Sequence, residues 1–182
     1  MMKKPMRFWR LILVIVAAFL YSCSNEPEYA DSEAHERTLE LREQYVPKLI
    51  GTWHIERISE KQRFFEQLTF NADGTLTGKR KWQMRQLVTI DGQKRYTDWE
   101  GVEDLEGSFT GIWALSWNRD QQGVGSNRLL LWANFDSESS AYVAYSNNEY
   151  FDTVDDTTLR FKSNINGGKV TTYERGEAEP SF

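Results

Sequence analysis

A two-residue periodicity constrains the fold of this chain more than any other feature. It is clearest between residues 75 and 90, where even positions are mostly apolar and odd positions are mostly polar. Such alternation is typical of a half-buried strand, because successive side chains of a strand point to opposite faces of its sheet. The length of the run predicts a bend or bulge, and Gly78 is the candidate position.

Shorter runs with the same period follow along the chain. Their apolar positions are Phe109, Gly111, Trp113, Leu115 and Trp117; Leu129, Leu131, Ala133 and Phe135; and Leu159 with Phe161. Turn signals separate the runs, and Asn71–Gly74 and Asp91–Gly92 are typical of hairpins. About eight to ten strands with no helical stretch between them argue against parallel pairing. We expect an all-β antiparallel meander that closes into a barrel, since closure removes exposed strand edges.

One short helix is predicted before the strands. Between Glu33 and Val46, Ala34, Leu41 and other spaced residues recur at intervals of three and four. Pro47 is predicted to end the helix.

The N-terminus has the layout of an export signal. A basic stretch precedes an unbroken apolar run from Leu11 to Leu20. Ten residues of helix cover roughly half of the ~30 Å hydrocarbon core, so a permanent transmembrane anchor is the poorer interpretation. Residues 1–22 are therefore predicted to be a signal peptide.

The next residues, Leu20-Tyr21-Ser22-Cys23, resemble the lipobox of bacterial lipoproteins, although Tyr21 departs from the small residue usual there. The resemblance implies that Cys23 carries a diacylglycerol and an acylated amine, with palmitate as a typical chain, and so attaches the protein to a membrane. Ser24 in place of Asp favours the outer membrane of the cell envelope. The alternative is a buried or free thiol. Residues 23–32 read as a flexible tether and residues 33–182 as the helix plus the barrel.

The charge of the mature chain limits its partners. Removing residues 1–22, which hold four basic and no acidic side chains, leaves 160 residues and moves the net charge from −5 to −9. An acidic protein is a poor match for nucleic acid and for electrostatic docking on anionic lipid. Cys23 is the only cysteine, so its lipidation would leave no thiol for a disulfide or a thiolate metal site.

Three segments resemble parts of lipocalin-like barrels, the calycin type found in Gram-negative lipoproteins. They are Gly51-Thr52-Trp53, Phe70–Thr75 and Asp156–Phe161. The resemblance implies that a basic residue of the last strand, here Arg175, packs over Trp53 and closes the barrel. It does not specify an activity, because such barrels include carriers, enzymes and inhibitors.

Five inward-facing residues are candidates for ligand binding: Arg80, Trp82, Met84, Trp113 and Trp117. A guanidinium that points into an apolar barrel requires a partner, so Arg80 could bind a ligand carboxylate. The alternative is an internal ion pair or a position near the barrel mouth. The tryptophans either line a pocket or fill the core.

Catalysis and metal binding find little support in the residue types present. The chain has two histidines, His35 on the helix and His54 on the strand face opposite Trp53. Acidic clusters at 98–106 and 152–156 offer oxygen ligands for calcium, but their spacing fits no known calcium-binding loop, and solvated turns are the better interpretation. We therefore name no catalytic residue, metal site or cofactor.

Two functions are consistent with these patterns. The first is a non-enzymatic, lipid-anchored binding protein that holds a small apolar or amphipathic ligand. The alternative is a structural or interaction lipoprotein with a filled barrel whose surface engages an envelope protein or glycan.

Overall fold

A computed structural model describes residues 31–102, 106–136, 144–162 and 168–182. Over these residues the chain forms one helix, α1 (Ser32–Leu49), followed by eleven strands. The strands are β1 (Gly51–Ile58), β2 (Gln62–Phe70), β3 (Thr75–Met84), β4 (Leu87–Ile90), β5 (Gln93–Tyr96), β6 (Glu100–Gly101), β7 (Gly107–Arg119), β8 (Gly125–Phe135), β9 (Ala144–Val154), β10 (Thr158–Lys162) and β11 (Val170–Arg175).

Eight of these strands close into an antiparallel barrel. Their order around the barrel is β1, β2, β3, β7, β8, β9, β10 and β11, and β11 pairs with β1 again. The predicted all-β barrel with a preceding helix is thus confirmed. The hairpin β4–β5 forms a separate two-stranded sheet, and β6 pairs with the end of β3.

The predicted bulge at Gly78 is wrong. The pairing of β3 with both β2 and β7 continues in register through Gly78, and β3 ends at Met84. A Cβ atom at residue 78 would lie 2.2 Å from the ring of Phe109, so the glycine makes room for an inward aromatic side chain. The predicted hairpin at Asp91–Gly92 does form, with positive φ angles of 52° and 75° at its two turn residues.

Helix α1 covers one end of the barrel, which we call the closed end. Asp31 caps the helix by accepting a 3.0 Å hydrogen bond from the Ala34 amide. The helix does not stop at Pro47 but continues through it to Leu49, because a proline in the last turn removes few backbone bonds. Leu49 is fully buried, and its carbonyl accepts a 2.8 Å bond from Trp53 Nε1.

Apolar side chains fill the barrel interior from the closed end toward the opposite end. The most buried are Trp53, Leu68, Phe70, Leu76, Phe109, Leu115, Leu129, Leu131 and Leu159. Aromatic pairs add directional contacts; the rings of Phe109 and Phe135, for example, are 5.0 Å apart. This packed region is the main source of apolar stabilisation, as expected for a chain without disulfides.

The C-terminal residues 176–182 cross the outside of β1–β3. The Ala178 amide donates to Gln67 Oε1 at 3.0 Å, and the Ser181 amide donates to Glu56 Oε1 at 2.7 Å. Phe65, which points outward from β2, is only 1% exposed. It lines a surface cavity together with Ala178 and Glu179, so the C-terminal segment shields it from solvent.

Candidate functional site

A cavity of about 220 Å³ opens at the end of the barrel opposite α1. We call it the mouth cavity. Its lining residues are Arg57, Phe64, Glu66, Arg80, Ser146, Asn147, Glu149, Phe161, Thr171 and Tyr173. Strand β1 begins beside α1 at Gly51 and reaches Arg57 near its far end, which places this cavity away from the closed end.

A buried ion pair borders the mouth cavity. The Glu66 side chain is 1% exposed and the Arg80 side chain is 8% exposed. Arg80 Nε donates to Glu66 Oε2 at 2.8 Å, and Arg80 Nη2 donates to the same oxygen. Tyr173 Oη donates to the other carboxylate oxygen at 2.6 Å. Each Glu66 oxygen therefore accepts at least one hydrogen bond, which is the condition under which a buried carboxylate is tolerated.

The turn between β2 and β3 sets this pairing. The Asn71 amide bonds the Thr75 carbonyl, and the Gly74 amide bonds the Asn71 carbonyl, so the turn fixes the register from Phe70 opposite Leu76 onward. Four pairs further along, Glu66 lies directly opposite Arg80 on the inward face. Opposite charges at facing positions of two strands attract each other strongly where water is excluded.

Aromatic rings surround the Arg80 guanidinium. Its Cζ atom lies 5.5 Å from the centre of the Phe64 ring and 5.6 Å from that of the Phe135 ring. These faces offer further favourable electrostatics to the cation. The mouth cavity thus combines a fixed charged pair with apolar ring surfaces at Phe64 and Phe161.

The charges that line the mouth cavity are balanced. Arg57 and Arg80 provide two cations, and Glu66 and Glu149 provide two carboxylates. Arg57 Nη2 also donates to Thr171 Oγ1 at 2.8 Å. Hydroxyl, amide and guanidinium groups of the lining can donate hydrogen bonds to a bound molecule. Because the charges of the lining balance, they favour neither a cationic nor an anionic molecule.

The five ligand-binding candidates do not form one site. Arg80 lines the mouth cavity, and Trp82 lies nearby, edge-on to Phe64 at 5.8 Å. Within the described part of the chain, the buried Trp82 Nε1 has no hydrogen-bond partner. Met84, at the end of β3, is 45% exposed and lies opposite Glu100 of β6.

Trp113 and Trp117 belong to the closed end instead. Trp113 Nε1 donates to the Asn71 carbonyl at 3.0 Å, and its ring packs edge-on to Phe70 at 5.4 Å. Trp117 lies against α1, where its backbone carbonyl and amide both bond Thr38 Oγ1. Trp113 therefore packs within the barrel, and Trp117 packs at the contact between the barrel and α1.

The barrel closure joins the first and last strands through three residues. The Arg175 Cζ atom lies 4.2 Å from the centre of the Trp53 ring, and the two residues face each other in the β1–β11 register. Arg175 also donates to the Lys48 and Ile50 carbonyls. Gly51 has φ +128°, and a Cβ there would lie 2.9 Å from Arg175 Nη1, so this position requires glycine.

The histidines and acidic clusters have structural contacts. His54 points outward from β1, and its Nδ1 lies 3.0 Å from the Gly176 carbonyl oxygen, while His35 lies on α1. Asp155 accepts bonds from the Thr157 and Thr158 amides and hydroxyls, which hold the pKa of this carboxyl well below its ordinary value. Among the described residues no group of three His, Cys, Asp or Glu side chains is placed to bind a metal ion.

Sequence patterns alone did not identify Glu66 and Tyr173 as site residues. Glu66 stands at an inward position between Phe64 and Leu68, so the alternation that marked Arg80 also marks Glu66. Tyr173 is 107 residues from Glu66, and no local pattern joins the two. Cys23, Glu103 and Asp104 lie outside the described residues.

In the portion of the chain that the structure describes, no helix has both the length and the apolar character needed to cross a membrane. Comparisons with protein-family models, with curated protein sequences and with solved structures gave no significant match to this chain.

Proposed function

We propose that this chain is a non-enzymatic lipoprotein of the cell envelope, anchored in the outer membrane through acyl chains on Cys23, whose lipocalin-like barrel binds a small amphipathic molecule. The observation that carries the ligand part of the proposal is the mouth cavity beside the buried Glu66–Arg80–Tyr173 group. The anchor part rests on the lipobox-like Leu20–Cys23 segment behind an export signal.

The size of the mouth cavity argues for a small ligand. Its volume of about 220 Å³ falls below the ~300–1,000 Å³ of sites for drug-sized molecules, and the interior near the closed end is packed with side chains. A long acyl chain lying along the barrel axis would have to displace residues such as Phe109 and Leu131. A compact ligand held at the open end requires no such change.

The chemistry of the lining argues for an amphipathic ligand. Phe64 and Phe161 offer ring surfaces for an apolar part, while Asn147, Thr171 and Tyr173 offer polar groups that can fix its orientation. Because the lining carries equal numbers of positive and negative side chains, we favour a neutral polar group over a strongly charged one.

Native mass spectrometry tests the ligand. The mature protein is purified in mild detergent from its own membrane, and we expect a small non-covalent adduct that is lost on collisional activation. Thr171→Trp fills the mouth cavity and should remove the adduct, whereas Thr77→Trp, at an exposed outward position of β3, should retain it. Both variants must keep the wild-type circular dichroism. An adduct that survives Thr171→Trp would place the ligand elsewhere, and no adduct on any form would refute binding.

Metabolic labelling with palmitate tests the anchor separately. Label should enter the wild-type protein and be absent from Cys23→Ser, which should also leave the membrane fraction. A wild-type chain without acyl mass would refute the anchor while leaving the cavity proposal standing.

The filled interior also suits the alternative function, in which the barrel is a scaffold and its surface engages an envelope protein or glycan. The apolar packing of Phe109, Leu129 and Leu131 favours this alternative over a ligand deep in the barrel. It predicts that Thr171→Trp has no effect in cells and that crosslinking in intact cells recovers one specific partner.

A further inference from the structure

The outer wall of the barrel carries an apolar patch on β7 and β8. Ile112 is 57% exposed and Trp132 is 44% exposed, and the two are cross-strand neighbours. The next outward pair along the same strands is Ala114 and Leu130. We call these four residues the outer patch. Adjacent exposed apolar side chains of this kind mark interaction surfaces more often than scattered ones do.

The charge around the outer patch differs from that of the whole chain. Strands β7 and β8 contain no aspartate or glutamate, although the chain has 27 acidic residues. Beyond the apolar pairs lies Arg128, whose Cζ atom is 3.5 Å from the centre of the Tyr150 ring on β9. Arginine and tyrosine on the same outward face as an exposed tryptophan, four residues further along β8, form a surface suited to the polar boundary of a bilayer. The net charge of −9 expected for the mature chain is therefore located elsewhere on the molecule.

The chain enters the described structure next to these same strands. Asp31, the first described residue, lies 3.1 Å from Arg119 at the end of β7. Asp31 is eight positions after Cys23, a distance of at most about 28 Å when extended. Trp132 is seven residues along β8 from Gly125, which pairs with Arg119, or about 23 Å. A lipid on Cys23 is thus within reach of a membrane that contacts the outer patch.

We propose that the outer patch rests on the lipid surface, so that the β7–β8 wall faces the membrane. The inference rests on the proposed lipid anchor, and it adds which side of the barrel contacts the bilayer. The acyl chains hold the domain near the surface, and Trp132 and Ile112 enter the headgroup boundary, where a buried apolar face typically reaches about 5–10 Å. The occupant is the bilayer itself, not a second copy or a protein partner.

Spin labelling of the full lipidated protein tests this orientation. If Cys23 is acylated, an introduced cysteine is the only free thiol. Ile112→Cys places a label on the outer patch, and Glu174→Cys places the matched control on β11, on the opposite wall, where the native side chain is 78% exposed. The protein is reconstituted in vesicles of phosphatidylethanolamine and phosphatidylglycerol, and its acylation is checked by mass. Collision of each label with oxygen and with a water-soluble nickel chelate is then measured.

We expect the ratio of oxygen to nickel collisions to be several-fold higher at residue 112 than at residue 174. Equal nickel collision at both sites, in a protein whose mass shows the acyl chains, would overturn the orientation and leave the anchor intact. Low collision with both reagents at residue 112 would indicate a protein interface and would also overturn the inference. Absence of the acyl mass would refute the anchor and, with it, this orientation.

A second readout keeps the native side chain of Ile112. Lipids brominated in their acyl chains should quench the part of the tryptophan fluorescence that Trp132→Phe removes. If the variant and the wild-type protein are quenched to the same extent, Trp132 does not contact the bilayer and the inference is wrong.

Discussion

Replacing Glu66 with glutamine removes the carboxylate charge opposite Arg80 and keeps the side-chain shape. Glu66 is 1% exposed and the Arg80 side chain 8% exposed, so solvent compensates little for the loss. Removing one partner of a buried ion pair destabilises a protein by about 3–5 kcal/mol, because the remaining charge stays in a medium of low polarity. For a domain of this length, each kcal/mol corresponds to about 2–4 °C, so the melting temperature should fall by roughly 6–20 °C.

Two controls separate the buried charge from a general effect of substitution. Arg160→Gln breaks an exposed contact with Asp152, 3.6 Å long, and should cost less than about 1 kcal/mol. Combining Glu66→Leu, Arg80→Met and Tyr173→Phe removes the whole polar group, and most of the stability should return, because no buried charge or orphaned hydroxyl remains.

Urea denaturation followed by circular dichroism and tryptophan fluorescence gives the free energy of unfolding of each variant. The reasoning is refuted if Glu66→Gln loses no more stability than Arg160→Gln. It is also refuted if the triple variant is much less stable than Glu66→Gln. The contacts of the polar group would then contribute more stability than the burial of its charges costs.

Three further predictions concern single positions. Gly78→Ala should lower the free energy of unfolding, measured by urea denaturation, by about 1–3 kcal/mol, because its Cβ would lie 2.2 Å from the facing phenyl ring. In Gly101→Ala the added Cβ meets only the end of a flexible side chain, so the loss of stability should be much smaller. Asp155→Asn should destabilise the protein most at neutral pH and progressively less as the pH falls. The lowered pKa of this carboxyl gives stability that is complete above the ordinary value of about 3.9 and decreases as the pH falls toward the folded-state value. Urea midpoints between pH 7 and pH 2 check this, and Asp156→Asn, at an equally exposed carboxyl that does not accept these four threonine bonds, should show a smaller pH-dependent difference. Arg175→Gln removes the stacked guanidinium together with its bonds to the Lys48 and Ile50 carbonyls and should lower the free energy of unfolding by about 0.5–1 kcal/mol. An unchanged urea midpoint would mean that these contacts together contribute nothing.

The barrel could be predicted from the sequence because the patterns that indicate its strands and turns are local. Alternation marks the inward face of each strand, and the turn residues at Asn71–Gly74 and Asp91–Gly92 mark two hairpins. The alternation could not show that the run from residue 75 to 90 is two strands. Both β3 and β4 keep the same period, and the break between Met84 and Leu87 depends on the inserted hairpin β4–β5.

The sequence contains enough information to pair Glu66 with Arg80, but not to add Tyr173 to the buried polar group. Counting outward from the turn at Asn71–Gly74 pairs Glu66 with Arg80, so the internal ion pair that was one interpretation of Arg80 has an identifiable partner. Tyr173 reaches the same carboxylate only because β11 closes the barrel. That contact depends on the path of more than 100 intervening residues, which local periodicity does not encode.

The tryptophans show a different limit. Trp82, Trp113 and Trp117 share the inward pattern, but position along the barrel axis separates Trp82 near the mouth cavity from the other two near α1. The two-residue period shows which face of the sheet a residue occupies, but it does not show the position of that residue along the barrel axis. The predicted helix end at Pro47 is wrong because contacts outside the helix act there: burial of Leu49 and its bond from Trp53 hold the last turn beyond Pro47.

A crystal structure of the mature protein, purified from its own membrane with nothing added, tests the central claim most directly. We predict density for a compact non-protein molecule in the mouth cavity, in contact with Phe64 and Thr171, while the Glu66–Arg80 pair stays intact. A mouth cavity closed by side chains, or one that holds only water, would contradict the proposed ligand binding.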